Sequence, residues 1–154
     1  MKSKLFILIV ILGSFSCSSD SEKDTIIVYN FSTNEFPQRW DLFKMSIGML
    51  ANSEITGSDM EYQEHYIFNE DHTFSKNRIE DGRKITAEGS YTVTIQNNET
   101  AYSLEFNEQN NLIGNCGAGP TEYLYLHSDN KTLLSNWWAC DGPGLFYKRI
   151  GGTN

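Results

Sequence analysis

The chain has 154 residues, about one domain's length, and its 39% hydrophobic and 13% aromatic content is enough for a single core. Twelve Lys and Arg against twenty Asp and Glu leave a net charge of −8, which excludes the basic stripe that nucleic-acid phosphates demand. Only 21% of residues are charged and only three are Pro, so wholesale disorder and proline-rich architectures are excluded too.

Lys2 and Lys4 precede an unbroken apolar run, Leu5-Phe6-Ile7-Leu8-Ile9-Val10-Ile11-Leu12. Such a run falls far short of the ~20 residues that cross a bilayer core, but it suits the hydrophobic stretch of a secretory signal. Gly13-Ser14-Phe15-Ser16-Cys17 then closes the run with small residues and a cysteine. This segment resembles the lipobox of bacterial lipoproteins, with Ser14 where the common pattern has Leu. The resemblance implies cleavage after residue 16 and lipidation of Cys17. Ser14 and Ser16 also satisfy an ordinary signal-peptidase site, so soluble secretion is the alternative.

Cysteine parity points toward the lipid. Three cysteines leave one unpaired in an exported chain. If Cys116 and Cys140 pair, acylation removes the thiol of Cys17. Several acyl chains on one cysteine anchor a protein more firmly than the single chain that binds membranes marginally. Ser18 to Asp24 is polar and acidic, and resembles the tether after the lipidated cysteine in surface-exposed lipoproteins of Bacteroidota. The expected organisation is a signal over 1–16, a lipidated cysteine and tether over 17–38, and one folded domain over 39–154. Within the tether, Ile26-Ile27-Val28-Tyr29 reads as an extra strand or packed linker. The expected address is the outer membrane of the cell envelope, on its surface or its periplasmic face.

No stretch of the remainder carries an i, i+3, i+4 apolar stripe; period-two alternation and turn residues recur instead. Candidate strands run from Trp40 to Gly48, Tyr62 to Phe68, Thr73 to Ile79, Gly89 to Ile95, Ala101 to Phe106, Leu112 to Cys116, Tyr123 to His127, Thr132 to Ala139 and Leu145 to Ile150. Asp81-Gly82 is a strong hairpin signal. The longest internal connection, Leu50 to Met60, reads as a lid. Short loops make the strands antiparallel neighbours, and closing the meander removes its unpaired edges. The sequence therefore predicts an all-β domain, a small antiparallel up-and-down barrel of 8–9 strands, with a two-sheet β-sandwich as the alternative.

Trp40-Asp41-Leu42-Phe43, the run from Glu64 to Phe74, the late Cys140-Asp141-Gly142-Pro143 and the terminal Tyr147-Lys148-Arg149 resemble the lipocalin-like lipoproteins of Bacteroidota. In lipocalins an early Trp closes one barrel end and a late Arg packs across it. The resemblance carries those roles onto Trp40 and Arg149, although Gln38 stands where the family has glycine. It implies a barrel that binds a small apolar or amphipathic ligand.

Cys116 and Cys140 fall in connections that open at the same end of a meander, and an oxidising compartment favours their pairing. Tyr62, Glu64 and Tyr66 share an aromatic, inward face; with Tyr91, Tyr102 and Trp137 they are the candidate cavity residues. A carboxylate on that face needs a partner or water. Adjacent strand residues face opposite ways, so at most one of Trp137 and Trp138 points inward. His65, His72 and His127 lack zinc-ligand spacing, and no nucleophile, phosphate-loop or dinucleotide motif occurs. The expectation is a monomer without cofactor, metal or enzymatic activity, held to a membrane by its lipid. Its function is small-ligand binding or, if the barrel is filled by its own aromatics, binding a protein or glycan on the outside.

Overall fold

The computed structural model describes residues 35–47, 53–97 and 99–150. Cys17 and the Ile26 to Tyr29 segment lie outside the described residues. Nine strands follow in order: β1 (Gln38–Ser46), β2 (Glu54–Thr56), β3 (Gln63–Phe68), β4 (Thr73–Glu80), β5 (Arg83–Gln96), β6 (Glu99–Phe106), β7 (Thr121–Leu126), β8 (Thr132–Ser135) and β9 (Gly144–Ile150). Two short 3-10 turns, Gly57–Asp59 and Trp137–Cys140, are the only helical segments among the described residues.

Every pairing is antiparallel, and β1 bonds to β9 as well as to β3. Eight strands thereby close into a barrel, and β2 is an extra strand on the far half of β1, with Lys44 opposite Thr56. The β1–β9 ladder, from Arg39 opposite Ile150 to Ser46 opposite Gly144, excludes the sandwich. Within β1 a bulge between Leu42 and Lys44 shifts the register by one residue. That shift lets Leu42 and Met45, which have opposite parity, both face the core.

The interior follows the alternation read from sequence. Tyr66 and Phe68 of β3, Phe74 of β4, Leu104 and Phe106 of β6, Leu124 of β7 and Tyr147 of β9 are all buried. Gly89 lies between Phe74 and Phe106 in the ladder, whose rings meet edge to face at 4.9 Å. A Cβ there would overlap the carbonyl of Glu105, so only glycine lets the long strand β5 pass at this point. Asp81 and Gly82 both have positive φ, at 50° and 72°, as a tight hairpin turn requires.

Three expectations are corrected. Leu112 to Cys116 is no strand: it belongs to the connection between β6 and β7, and Leu112 is buried because that connection folds over one barrel end. The predicted strand Thr132 to Ala139 stops at Ser135 and turns into a 3-10 segment, with Trp137 half-buried and Trp138 41% exposed. In place of a lid, Glu54–Thr56 pairs with β1 as a strand; residues 48–52 of that connection lie outside the described residues.

The β6–β7 and β8–β9 connections share one end of the barrel, and a Cys116–Cys140 disulfide joins them with Cα atoms 5.5 Å apart. Trp137 lies between them: a Cβ on Gly114 would come within 2.8 Å of its ring, and one on Gly142 would overlap it. The staple thus holds an indole sandwiched by two glycines. Replacing both cysteines with Ser should lower stability by roughly 3 kcal/mol, the loop-closure value for this separation, and lower Tm by on the order of 10 °C. Calorimetry of the Cys116→Ser/Cys140→Ser variant measures this, and thiol titration of the native protein should find neither cysteine reactive.

Candidate functional site

Charged side chains reach the barrel interior from three strands and meet there. Glu64 on β3 and Arg78 on β4 are ladder partners. Arg78 donates from Nε to Glu64 Oε2 at 2.7 Å, and a second guanidinium nitrogen lies 2.7 Å from the same oxygen. The other oxygen accepts a hydrogen bond from the Tyr147 hydroxyl at 2.5 Å and lies 3.3 Å from Lys76 Nζ. Lys76 donates to both oxygens of Glu122, at 3.0 and 3.1 Å, and to the Leu112 carbonyl at 2.6 Å. The side chains of Glu64, Lys76 and Glu122 are wholly removed from solvent.

Two carboxylates and two cations balance formally. A buried charge costs several kcal/mol unless it is paired and hydrogen-bonded. Here the ammonium meets two carboxylates and a carbonyl, enough acceptors for its three protons. Burial pushes the Glu122 carboxyl above its ordinary value; Lys76 opposes the shift and Glu64 adds to it. Burial also works against the charge of Arg78, but Glu64 and Tyr62 outweigh it and raise its pKa. The guanidinium carbon sits 3.7 Å from the centre of the Tyr62 ring. The hydroxyls of Tyr66 and Tyr147 are raised well above the normal range, first by burial and then by the neighbouring carboxylates.

The candidate cavity residues are therefore largely engaged with one another. Tyr66 stacks on Phe68 at 5.7 Å and meets Tyr147 edge-on at 5.0 Å. Phe68 in turn contacts Tyr91 at 4.9 Å and Tyr102 at 5.4 Å. Tyr91 donates its hydroxyl hydrogen bond to the Asn69 carbonyl at 2.7 Å, and burial pushes that phenol up to about 12. Glu64 is held by Arg78, Lys76 and Tyr147, and Trp137 packs at the stapled end. Trp40 is 1% exposed and pairs with Arg149 across the closing seam, the guanidinium lying 5.8 Å from the indole.

Sequence reasoning missed Lys76 and Arg78. The signal was present: both share the parity of Phe74, so an inward Phe74 makes them inward. It also missed the outer wall of β7, where Tyr123 and Tyr125 are 41% and 44% exposed. Beside Tyr125 a shallow cleft of about 150 Å³ is bordered by Thr94, Gln96, Asn97, Glu99 and Ala101. Among the described residues, no group of three or more His, Cys, Asp or Glu is arranged to hold a metal ion. No protein-family model, curated protein or solved structure matches the chain.

Two outcomes follow from these placements. Lys76→Met leaves Glu64 and Glu122 facing each other in the dark and strips the Leu112 carbonyl of its donor. It should cost about 3–5 kcal/mol, read by urea denaturation, while Lys76→Met/Glu122→Gln, which keeps the Glu64–Arg78 pair, should recover much of that loss. The second concerns His65, half-buried on the outward face of β3 opposite Asp41 and Asn77. Burial, and then Arg39, lower its pKa from the usual 6.5. Its neutral form is favoured in the folded state, so its contribution is present above about pH 6.5 and lost as pH falls through the lowered value. The drop in Tm between about pH 7.5 and pH 5 should be smaller in His65→Gln than in the unaltered protein.

Proposed function

We propose that the protein is a lipid-anchored module of the bacterial cell envelope whose barrel is filled by its own side chains, and which binds its partner on the outside. One observation carries this reading. The groups that would have recognised an enclosed ligand, Glu64 and the Tyr66–Tyr91–Tyr102 aromatic set, are bonded to and stacked on other side chains of the same interior. A ligand would have to break several buried charge-assisted hydrogen bonds to enter, each worth roughly 1.5–3 kcal/mol.

The second reading, a small apolar or amphipathic ligand, draws on a different feature. Val93 and Ile95 have inward parity on β5 yet are 42% and 74% exposed, because the strand continues past the barrel rim. This rim lies at the end opposite the disulfide, where an apolar molecule would meet it first.

Native mass spectrometry of protein purified from its membrane fraction separates the two. The filled-barrel reading expects only the mass of the chain with its anchor. A stoichiometric, extractable small molecule, lost together with an altered Tyr fluorescence, would overturn it in favour of the second. The anchor is tested in the same preparation: Cys17→Ala should move the protein from the membrane to the soluble fraction.

A further inference from the structure

We propose that the outer wall around Tyr125 is a binding site for a neutral oligosaccharide, seated with one sugar face on the tyrosine and its hydroxyls against Thr94, Gln96, Asn97 and Glu99. The proposal rests on the outer-wall reading above and names its ligand class.

The wall is built for access. Tyr123 and Tyr125 stand two residues apart on β7, on one face and about 7 Å from each other. Their ladder partners on β6 are small: Ser103 lies opposite Tyr123 and Ala101 opposite Tyr125. Beyond them β5 presents Thr92 and Thr94 in the same rows. On the β6 side short residues leave the rings uncovered, while on the other side Leu134 of β8 is the ladder partner of Tyr125. An exposed aromatic side chain receives the C–H side of a pyranose as it would another apolar surface.

Polar residues border the cleft. The shallow cleft of about 150 Å³ beside Tyr125 is lined by Thr94, Gln96, Asn97 and Glu99 together with Ala101. Gln96 and Glu99 are ladder partners that close the hairpin, and Asn97 adopts a left-handed φ of 52° in its turn. Among the described residues none of these side chains is tied into a hydrogen bond or ion pair. Amides both donate and accept, a hydroxyl does the same, and a carboxylate only accepts. That set matches sugar hydroxyls, which also do both.

Charge selects among sugars. Glu99 at the cleft and a net charge of −8 repel uronates and sulfate esters, so the expected ligand is neutral. An apolar ligand would leave four polar side chains unpaired, and an anionic one would face the carboxylate directly.

The test is affinity electrophoresis of the full chain in mild detergent, through native gels containing a soluble β-glucan, an α-glucan, a galactomannan or a xylan, with alginate as the anionic comparison. Retardation by at least one neutral polymer, weakened about tenfold or more in Tyr125→Ala and also weakened in Gln96→Ala, supports the site. Ile79→Ala, an exposed apolar position on β4, should migrate as the unaltered chain does, and circular dichroism should show all variants folded. Retardation by no neutral polymer, or by alginate alone, overturns the proposal, as does retardation unchanged in both Tyr123→Ala and Tyr125→Ala. Concentration-dependent dimers that Tyr125→Ala abolishes, without polysaccharide binding, would assign the patch to a second copy of the chain and overturn it too. An interior ligand found by mass spectrometry would remove the filled-barrel reading and leave this outer cleft standing, so the two failures are distinguishable.

Discussion

A lysine inside an eight-stranded barrel is expensive, and most of this structure follows from how that cost is met. Lys76 carries its charge to a point with no access to water, and three acceptors must come to it. Glu122 arrives from β7, Glu64 from β3, and the Leu112 carbonyl from a connection that has no regular structure of its own. The ammonium therefore ties three strands and one long loop to a single atom. Arg78 then becomes necessary, because Lys76 alone cannot balance two buried carboxylates. Tyr62 beneath the guanidinium and Tyr147 on Glu64 add to the network. A cluster of this kind adds little net stability compared with an apolar core of the same volume, whereas removing one partner leaves a buried charge uncompensated.

The stapled end depends on that arrangement. Leu112 can cover the barrel only if the β6–β7 connection is pulled inward, and Lys76 does the pulling. The same loop carries Gly114 against the Trp137 ring and Cys116 into the disulfide. Salt bridge, indole and disulfide thus act in series on one segment, from the centre of the barrel outward to its surface. The opposite end is organised differently: the β3–β4, β5–β6 and β7–β8 turns gather there, with the start of β1.

Much of this was legible in the residues. The inward face of β3, the Asp81-Gly82 hairpin, the antiparallel order and the pairing of Cys116 with Cys140 all follow from parity, turn chemistry and the alternation of connections. The charged interior was legible only halfway. Glu64 stood out because it sat among tyrosines, whereas Lys76 and Arg78 drew no assignment to a face, although an inward Phe74 fixes theirs. Leu112 to Cys116 imitates a strand because a segment folded over an apolar end needs the same apolar residues as a strand lining it. The closure of β1 on β9 had no local signal, since it joins residues some hundred positions apart and was inferred only from the cost of open edges.

What the sequence obscured most is the outer wall, and the reason is physical. Binding surfaces on a barrel obey the same period-two alternation as its core, with the aromatic residue on the other parity. Tyr123 and Tyr125 alternate with Glu122 and Leu124, so one face carries a carboxylate with leucines and the other carries tyrosines, and periodicity alone assigns neither. The carboxylate resolves the ambiguity: Glu122 must be inside because Lys76 needs it, which forces both tyrosines out. The buried ion cluster and the exposed aromatic pair are consequences of one choice of parity on β7.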